Sequence, residues 1–150
     1  MNNPPYEFRR VHAYRYIFES IGKRTITKVV EFSSTAINNS YNLGFGDLLS
    51  NGEIDDTANS NNGDIIKIFA TVINILQDFT ERHPTFNILF IGSTPLRTLL
   101  YKRILKTYYQ AFNEIFSVFG IIETDNGPLL IPFDPKRSES YIVFLIKRIN

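Results

Sequence analysis

Residues 13–32 read AYRYIFESIGKRTITKVVEF, and their reading decides the fold. Tyr14, Tyr16 and Phe18 alternate with Ala13, Arg15, Ile17 and Glu19, the period-2 pattern of a half-buried strand. Gly22 and Lys23 turn the chain. Arg24 to Phe32 then returns as a second strand rich in β-branched residues, with Ile26, Val30 and Phe32 on one face and Thr25, Thr27, Glu31 and Val29 on the other. The two predict an antiparallel hairpin with one face turned to a core.

Outward from this hairpin the pattern repeats and then changes period. After an Asn39-Ser40 turn, Tyr41, Leu43 and Phe45 alternate with Asn42, Gly44 and Gly46, a third strand whose second face is nearly bare and open to close approach. Leu48 to Asp64 is polar and Gly/Asn-rich, which predicts a long loop of the length that is functional or disordered. Asn62 or Asp64 is placed to cap a helix whose Ile65, Ile68, Phe69, Val72, Ile73, Ile75, Leu76 and Phe79 leave only a narrow polar stripe. This helix stops before His83-Pro84. Thr85 to Ile91 suits a strand covered on both faces. Gly92-Ser93-Thr94-Pro95 then starts a second helix, expected from Pro95 to Phe112. Ser117 to Thr124 and Leu129 to Phe133, joined by Asp125-Asn126-Gly127-Pro128, read as a hairpin, and Tyr141 to Ile149 as a closing strand. The order βββ-α-β-α-βββ predicts an α+β fold, a mainly antiparallel sheet covered by two principal helices, with residues 1–150 as a single domain.

Composition sets the outer limits. Lys+Arg 16 against Asp+Glu 15 leaves a net charge of +1, so no global field draws the chain to nucleic acid or membrane. The absence of cysteine excludes a disulfide scaffold, a thiolate metal site and cysteine catalysis. Met1-Asn2-Asn3-Pro4-Pro5 lacks the pattern of a signal peptide and no apolar run is long enough for a membrane span, which predicts a cytoplasmic protein without a membrane partner.

Chemistry concentrates in three segments: Asn42-Leu43-Gly44-Phe45-Gly46-Asp47, the acidic loop Glu53-Ile54-Asp55-Asp56 followed by Ser60-Asn61-Asn62-Gly63-Asp64, and Gly92-Ser93-Thr94-Pro95-Leu96-Arg97-Thr98-Leu99-Leu100-Tyr101. In this order, and over nearly the whole chain, they resemble an uncharacterised family of small bacterial proteins, a domain of unknown function. The resemblance implies a single domain and assigns no activity, substrate or catalytic residue.

The third segment is the sharpest signal. A helix N-terminus presents unpaired N–H groups and a positive dipole end, which suit phosphate or carboxylate. Arg97 in the first helical turn opposes that dipole and calls for an anion, either a ligand or one of Asp47, Asp55 and Asp56. Thr94, Arg97 and Tyr101 follow at i, i+3 and i+7, on one helical face. Ser93 and Thr94 also serve as plain caps, and Arg97 as a structural ion pair. The segment lacks the glycine spacing of a Walker loop. Asp47, Asp55, Asp56 and Asp64 are oxygen ligands of the kind Mg²⁺ or Ca²⁺ takes, but an EF-hand starting at Asn59 would end on Ala70, so no metal site is assigned and Mg²⁺ stays a bare option. His12 and His83 have no ligand partner at zinc spacing. A triad of Ser93, His83 and Asp47 lacks a nucleophile elbow. Tyr14 and Tyr16 beside Arg9, Arg10 and Arg15 mix rings with cations as single-strand binders do, though the same rings fall at core positions.

Two functional readings follow. One is binding or processing of a phosphate-bearing ligand, nucleotide or RNA, with Ser93, Thr94 and Arg97 on the anion, Asp47, Asp55 and Asp56 orienting Arg97 or holding a metal, and Tyr101 lining the pocket; by analogy, small proteins of this kind serve as effectors of toxin–antitoxin or phage-defence loci. The other is a non-catalytic protein–protein interaction module, pairing with another protein or a second copy through an exposed edge strand. Neither fixes whether the chain is an enzyme.

Overall fold

The computed structural model of the chain describes residues 4–55, 61–91, 95–137 and 140–149. The fold is α+β, a mixed and mostly antiparallel sheet packed against three helices. The residues gather into two compact units, one of Met1–Ser33 with Leu43–His83 and one of Ser34–Asn42 with Pro84–Asn150.

In the first unit β1 (Arg9–His12), β2 (Arg15–Ile21) and β3 (Thr25–Ser34) form an antiparallel layer, and β4 (Ser40–Leu48) carries a two-residue partner, β5 (Ile54–Asp55). Register places Tyr16 opposite Val30 and Phe18 opposite Lys28, so the expected hairpin forms with its apolar face as expected. That face meets α1 (Ile65–Arg82): Phe79 stacks on Phe32 with centroids 3.8 Å apart, and Tyr16 meets Phe32 edge-on. Phe69, Ile75, Leu76 and Phe79 are fully buried, and a phenylalanine so placed contributes about 3–5 kcal/mol. α1 ends where expected, with the N–H of His83 on the Phe79 carbonyl and proline next.

The start of α1 departs from simple capping. Asp64 occupies the N-cap position but its side chain makes no cap hydrogen bond. Its Oδ2 instead accepts from the Tyr6 and Ser20 hydroxyls, each at 2.6 Å. Asn62 is buried and turns to the β2–β3 hairpin, where its Nδ2 donates to the Arg24 and Ser20 carbonyls and to Ser20 Oγ, and its Oδ1 accepts from the Arg24 N–H. A side-chain amide offers the same donor and acceptor as a peptide group, so Asn62 binds the hairpin end as a short strand would. A methyl group on Gly22 would collide with the Asn62 carbonyl, which explains glycine in that turn.

In the second unit Ser40–Asn42 of β4 pairs in parallel with β6 (Asn87–Ile91), and β9 (Tyr141–Arg148), β7 (Phe116–Thr124) and β8 (Gly127–Pro132) follow in antiparallel order. The parallel step makes the sheet mixed. The expected second helix divides at Tyr108 into α2 (Pro95–Thr107) and α3 (Tyr109–Ile115). Thr107, Tyr108 and Tyr109 are poor helix formers in series, and α3 carries Phe112 against Phe116. The β7–β8 hairpin is tighter than its sequence suggests, because Gly127 at φ 104° closes a two-residue turn and joins the ladder opposite Thr124. Gly120 faces the Tyr141 ring so closely that a Cβ there would enter it. No helix among the described residues is long and apolar enough to cross a membrane.

Candidate functional site

The alternation of β3 puts Lys28 in phase with Ile26, Val30 and Phe32, on the face that α1 covers. A lysine there must find an anion or lose its charge. Lys28 is only 5% exposed, and its Nζ donates to Asp47 Oδ1 on β4. The Phe45 ring lies below the ammonium, 5.7 Å from Nζ to centroid. Asp55 on β5 stands directly opposite Asp47 in the ladder, and such partners project from the same face. The Asp47 side chain keeps 20% exposure against 7% for Lys28, so solvent meets this ion pair at its carboxylate.

The residues singled out from sequence fall as follows. Asp47 and Asp55 are brought together as β4–β5 ladder partners, and the cation described on Asp47 is Lys28. Ser93, Thr94 and Asp56 lie outside the described residues, and so does the side chain of Arg97, the third residue of α2. Tyr101 on α2 is buried, its ring centroid 5.3 Å from that of Phe90, inside the core of the second unit. Among the described residues no three His, Cys, Asp or Glu side chains gather as metal ligands, and Asp64 is committed to Tyr6 and Ser20. Lys28 is the member that reading the sequence missed. Its signal was present: a lysine in the apolar phase of a strand, between Ile26 and Val30.

Two other polar groups shape the first unit. Tyr16, fully buried, donates its hydroxyl to Asp78 Oδ2 at 2.7 Å, and Arg82 Nε reaches the same oxygen at 3.0 Å. Burial pushes the Tyr16 hydroxyl far above its ordinary range, and Asp78 adds to this. For Asp78 burial acts upward, but the Tyr16 hydroxyl and the Arg82 guanidinium outweigh it and hold the carboxyl below its usual value. His83 lies parallel to Tyr14 and against Phe79, where burial and then Arg82 and Arg10 hold its imidazole below 6.5. These rings and charges belong to the α1–sheet packing. On the opposite face of β2, Glu7, Phe8, Arg9, Ile17 and Glu19 line a depression of about 310 Å³, where two carboxylates face one arginine and an anion gains little. At the α2–α3 junction Lys106 to Ala111 border an open groove of about 450 Å³.

Compared with known proteins, residues 2–149 match the model of a family of unknown function (DUF6934). No curated protein and no solved structure matches the chain.

Proposed function

We propose that this chain, which belongs to the family of unknown function DUF6934, binds a phosphate-bearing ligand, a nucleotide or RNA, at the Lys28–Asp47–Asp55 group. The observation that carries the reading is the Lys28 ammonium held under the sheet by Asp47. A buried ion pair is a poor source of stability, since its desolvation cost rivals its attraction and an apolar pair of similar volume holds a core as well. Its presence in a face otherwise made of Tyr16, Phe18, Val30 and Phe32 therefore favours a role in binding. A lysine ammonium is a common point-charge binder of phosphate. Mg²⁺ is typically bound through one or two carboxylates, with phosphate oxygens and water completing its shell, a donor set that Asp47 and Asp55 match. Arg97 remains the second cation that the sequence offers to the same ligand class.

A thermal-shift titration tests this, using inorganic phosphate, nucleotides and short RNA oligomers with and without Mg²⁺. A ligand at about 100 times its dissociation constant adds about 2.7 kcal/mol, a rise of several degrees for a domain of this size. The expected result is a shift that Lys28→Met and Asp55→Asn both abolish while each variant still melts cooperatively. A chain that responds to none of these ligands, or whose response survives both substitutions, overturns the reading. Arg97→Ala in the same series separates the two cations.

A further inference from the structure

The sheet of the second unit has a second face. Register aligns Ile91, Val143, Ile121 and Leu130 in one row across β6, β9, β7 and β8, and Leu89, Leu145, Phe119 and Pro132 in the next. The opposite face is the covered one: it carries Phe90, Phe144 and Phe116, against which Tyr101 of α2 and Phe112 of α3 pack. On the second face Leu89 is buried at 5% exposure and Val143, Leu145, Ile121 and Phe119 are half-buried, while Ile91 at 43% and Leu130 at 52% stand open at the two ends of the first row. Scattered apolar residues on a surface need no explanation; rows of them in register across four strands do.

The charges that bound these rows are arranged with a sign. Glu123 stands beyond the first row on β7, and Lys147 beyond the second on β9, opposite Ser117. Both are exposed, and neither joins an ion pair among the described residues.

We propose that this face is the interface of a homodimer, in which a second copy lays the same face upon it. A twofold axis in the interface plane, running along the rows and between them, stacks apolar rows on apolar rows and reverses the strands. The Glu123 end of each copy then meets the Lys147 end of the other, twice by symmetry. Sheets packed face to face stand ~10 Å apart, a gap that extended glutamate and lysine side chains bridge. The surface is thus complementary to itself, which selects a second copy over an unrelated partner. The edges point the same way. β1 offers exposed Arg9, Arg10 and His12, and β8 carries Pro128 and Pro132, both devices that discourage strand addition. This inference concerns a different surface from the Lys28 group and stands or falls separately from it.

Sedimentation velocity of the full chain over a concentration series up to about 1 mM is the test. The expected result is a concentration-dependent dimer that Leu130→Lys converts to monomer without lowering the melting temperature by more than a few degrees, since Leu130 is half exposed. Glu123→Lys turns two attractive pairs into two repulsive ones and is expected to weaken the dimer about tenfold, from exposed pairs of ordinary strength. Combining Glu123→Lys with Lys147→Glu restores the wild-type association. A wild type that stays monomeric overturns the proposal, as does a dimer indifferent to Leu130→Lys, or a double exchange that fails to restore what the single one lost.

Discussion

Asn62→Ala tests whether the hairpin end and the start of α1 are held by one side chain. The substitution removes hydrogen bonds of 2.7 Å to the Arg24 carbonyl, 2.9 Å to Ser20 Oγ and 3.0 Å from the Arg24 N–H, with a weaker one of 3.3 Å to the Ser20 carbonyl. Counting the three well-formed bonds at about 1 kcal/mol each gives about 3 kcal/mol. Water recovers part of the loss at exposed Arg24, whereas Ser20, fully buried, loses a donor that water cannot replace, so the two corrections oppose one another. For 150 residues each kcal/mol moves the melting temperature by about 2–4 °C, hence a fall of about 6–12 °C. Urea denaturation should show a lower midpoint with an unchanged slope, and hydrogen exchange should show lost protection at the Arg24 amide. Asn62→Asp keeps the acceptor for Arg24 but sets a carboxylate against two carbonyls, so it should do no better than alanine. A loss below about 1 kcal/mol for alanine would refute the reasoning. An aspartate variant as stable as wild type would show that the acceptor bond alone matters.

Gly120→Ala should destabilise by about 1–3 kcal/mol, because the added methyl meets a Tyr141 ring already fixed against Phe133 at 5.4 Å and Phe144 at 5.2 Å; an unchanged melting temperature would show that the ring yields. His83 and Asp78 give the first unit two acid-sensitive steps. Because His83 is held neutral in the fold, the unfolded chain binds its proton first, so stability should decline as pH falls below about 6.5, and His83→Phe, which keeps a ring in the stack, should remove that decline. Asp78, with its carboxyl held low, contributes stability that is present above its ordinary 3.8 and lost as pH falls through the lower folded value. Asp78→Asn should flatten this acid limb in urea midpoints taken from pH 5 downward, and an unchanged limb would remove Asp78 from the account.

What the sequence disclosed follows from which forces are local. The hairpin of 13–32 and helix α1 were legible because alternation and a wide apolar stripe are written in consecutive residues. The two-residue β5 was not, since Ile54 and Asp55 become a strand only by pairing with Leu48 and Asp47. Of Asn62 and Asp64, the two cap candidates in the sequence, Asp64 takes the position, but its bonds go to Tyr6 and Ser20, partners 58 and 44 residues away that no local rule selects. The same holds at the candidate site. Asp47 and Asp55 are acids beside glycines and turns, whereas Lys28 lies inside a β-branched run whose strand pattern masks a single charge.

The course of the chain has a consequence for synthesis and for cutting. It leaves the first unit after Ser33, spends residues 34–42 in the second, and returns at Leu43. All of the first unit has therefore been translated by His83, whereas the early segment 34–42 waits for β6 to supply its parallel neighbour and for β9 and β7 to extend the ladder. A ribosome-bound chain carries this strand end, with the edge it offers to β6 still unpaired, through the whole synthesis of α1. Cleavage at 83–84 cannot release the second unit intact, because one of its strands departs with the other piece. Supplied in trans, a peptide spanning 34–42 is the segment a C-terminal fragment lacks, which makes β4 the natural point at which to split this protein and ask it to reassemble.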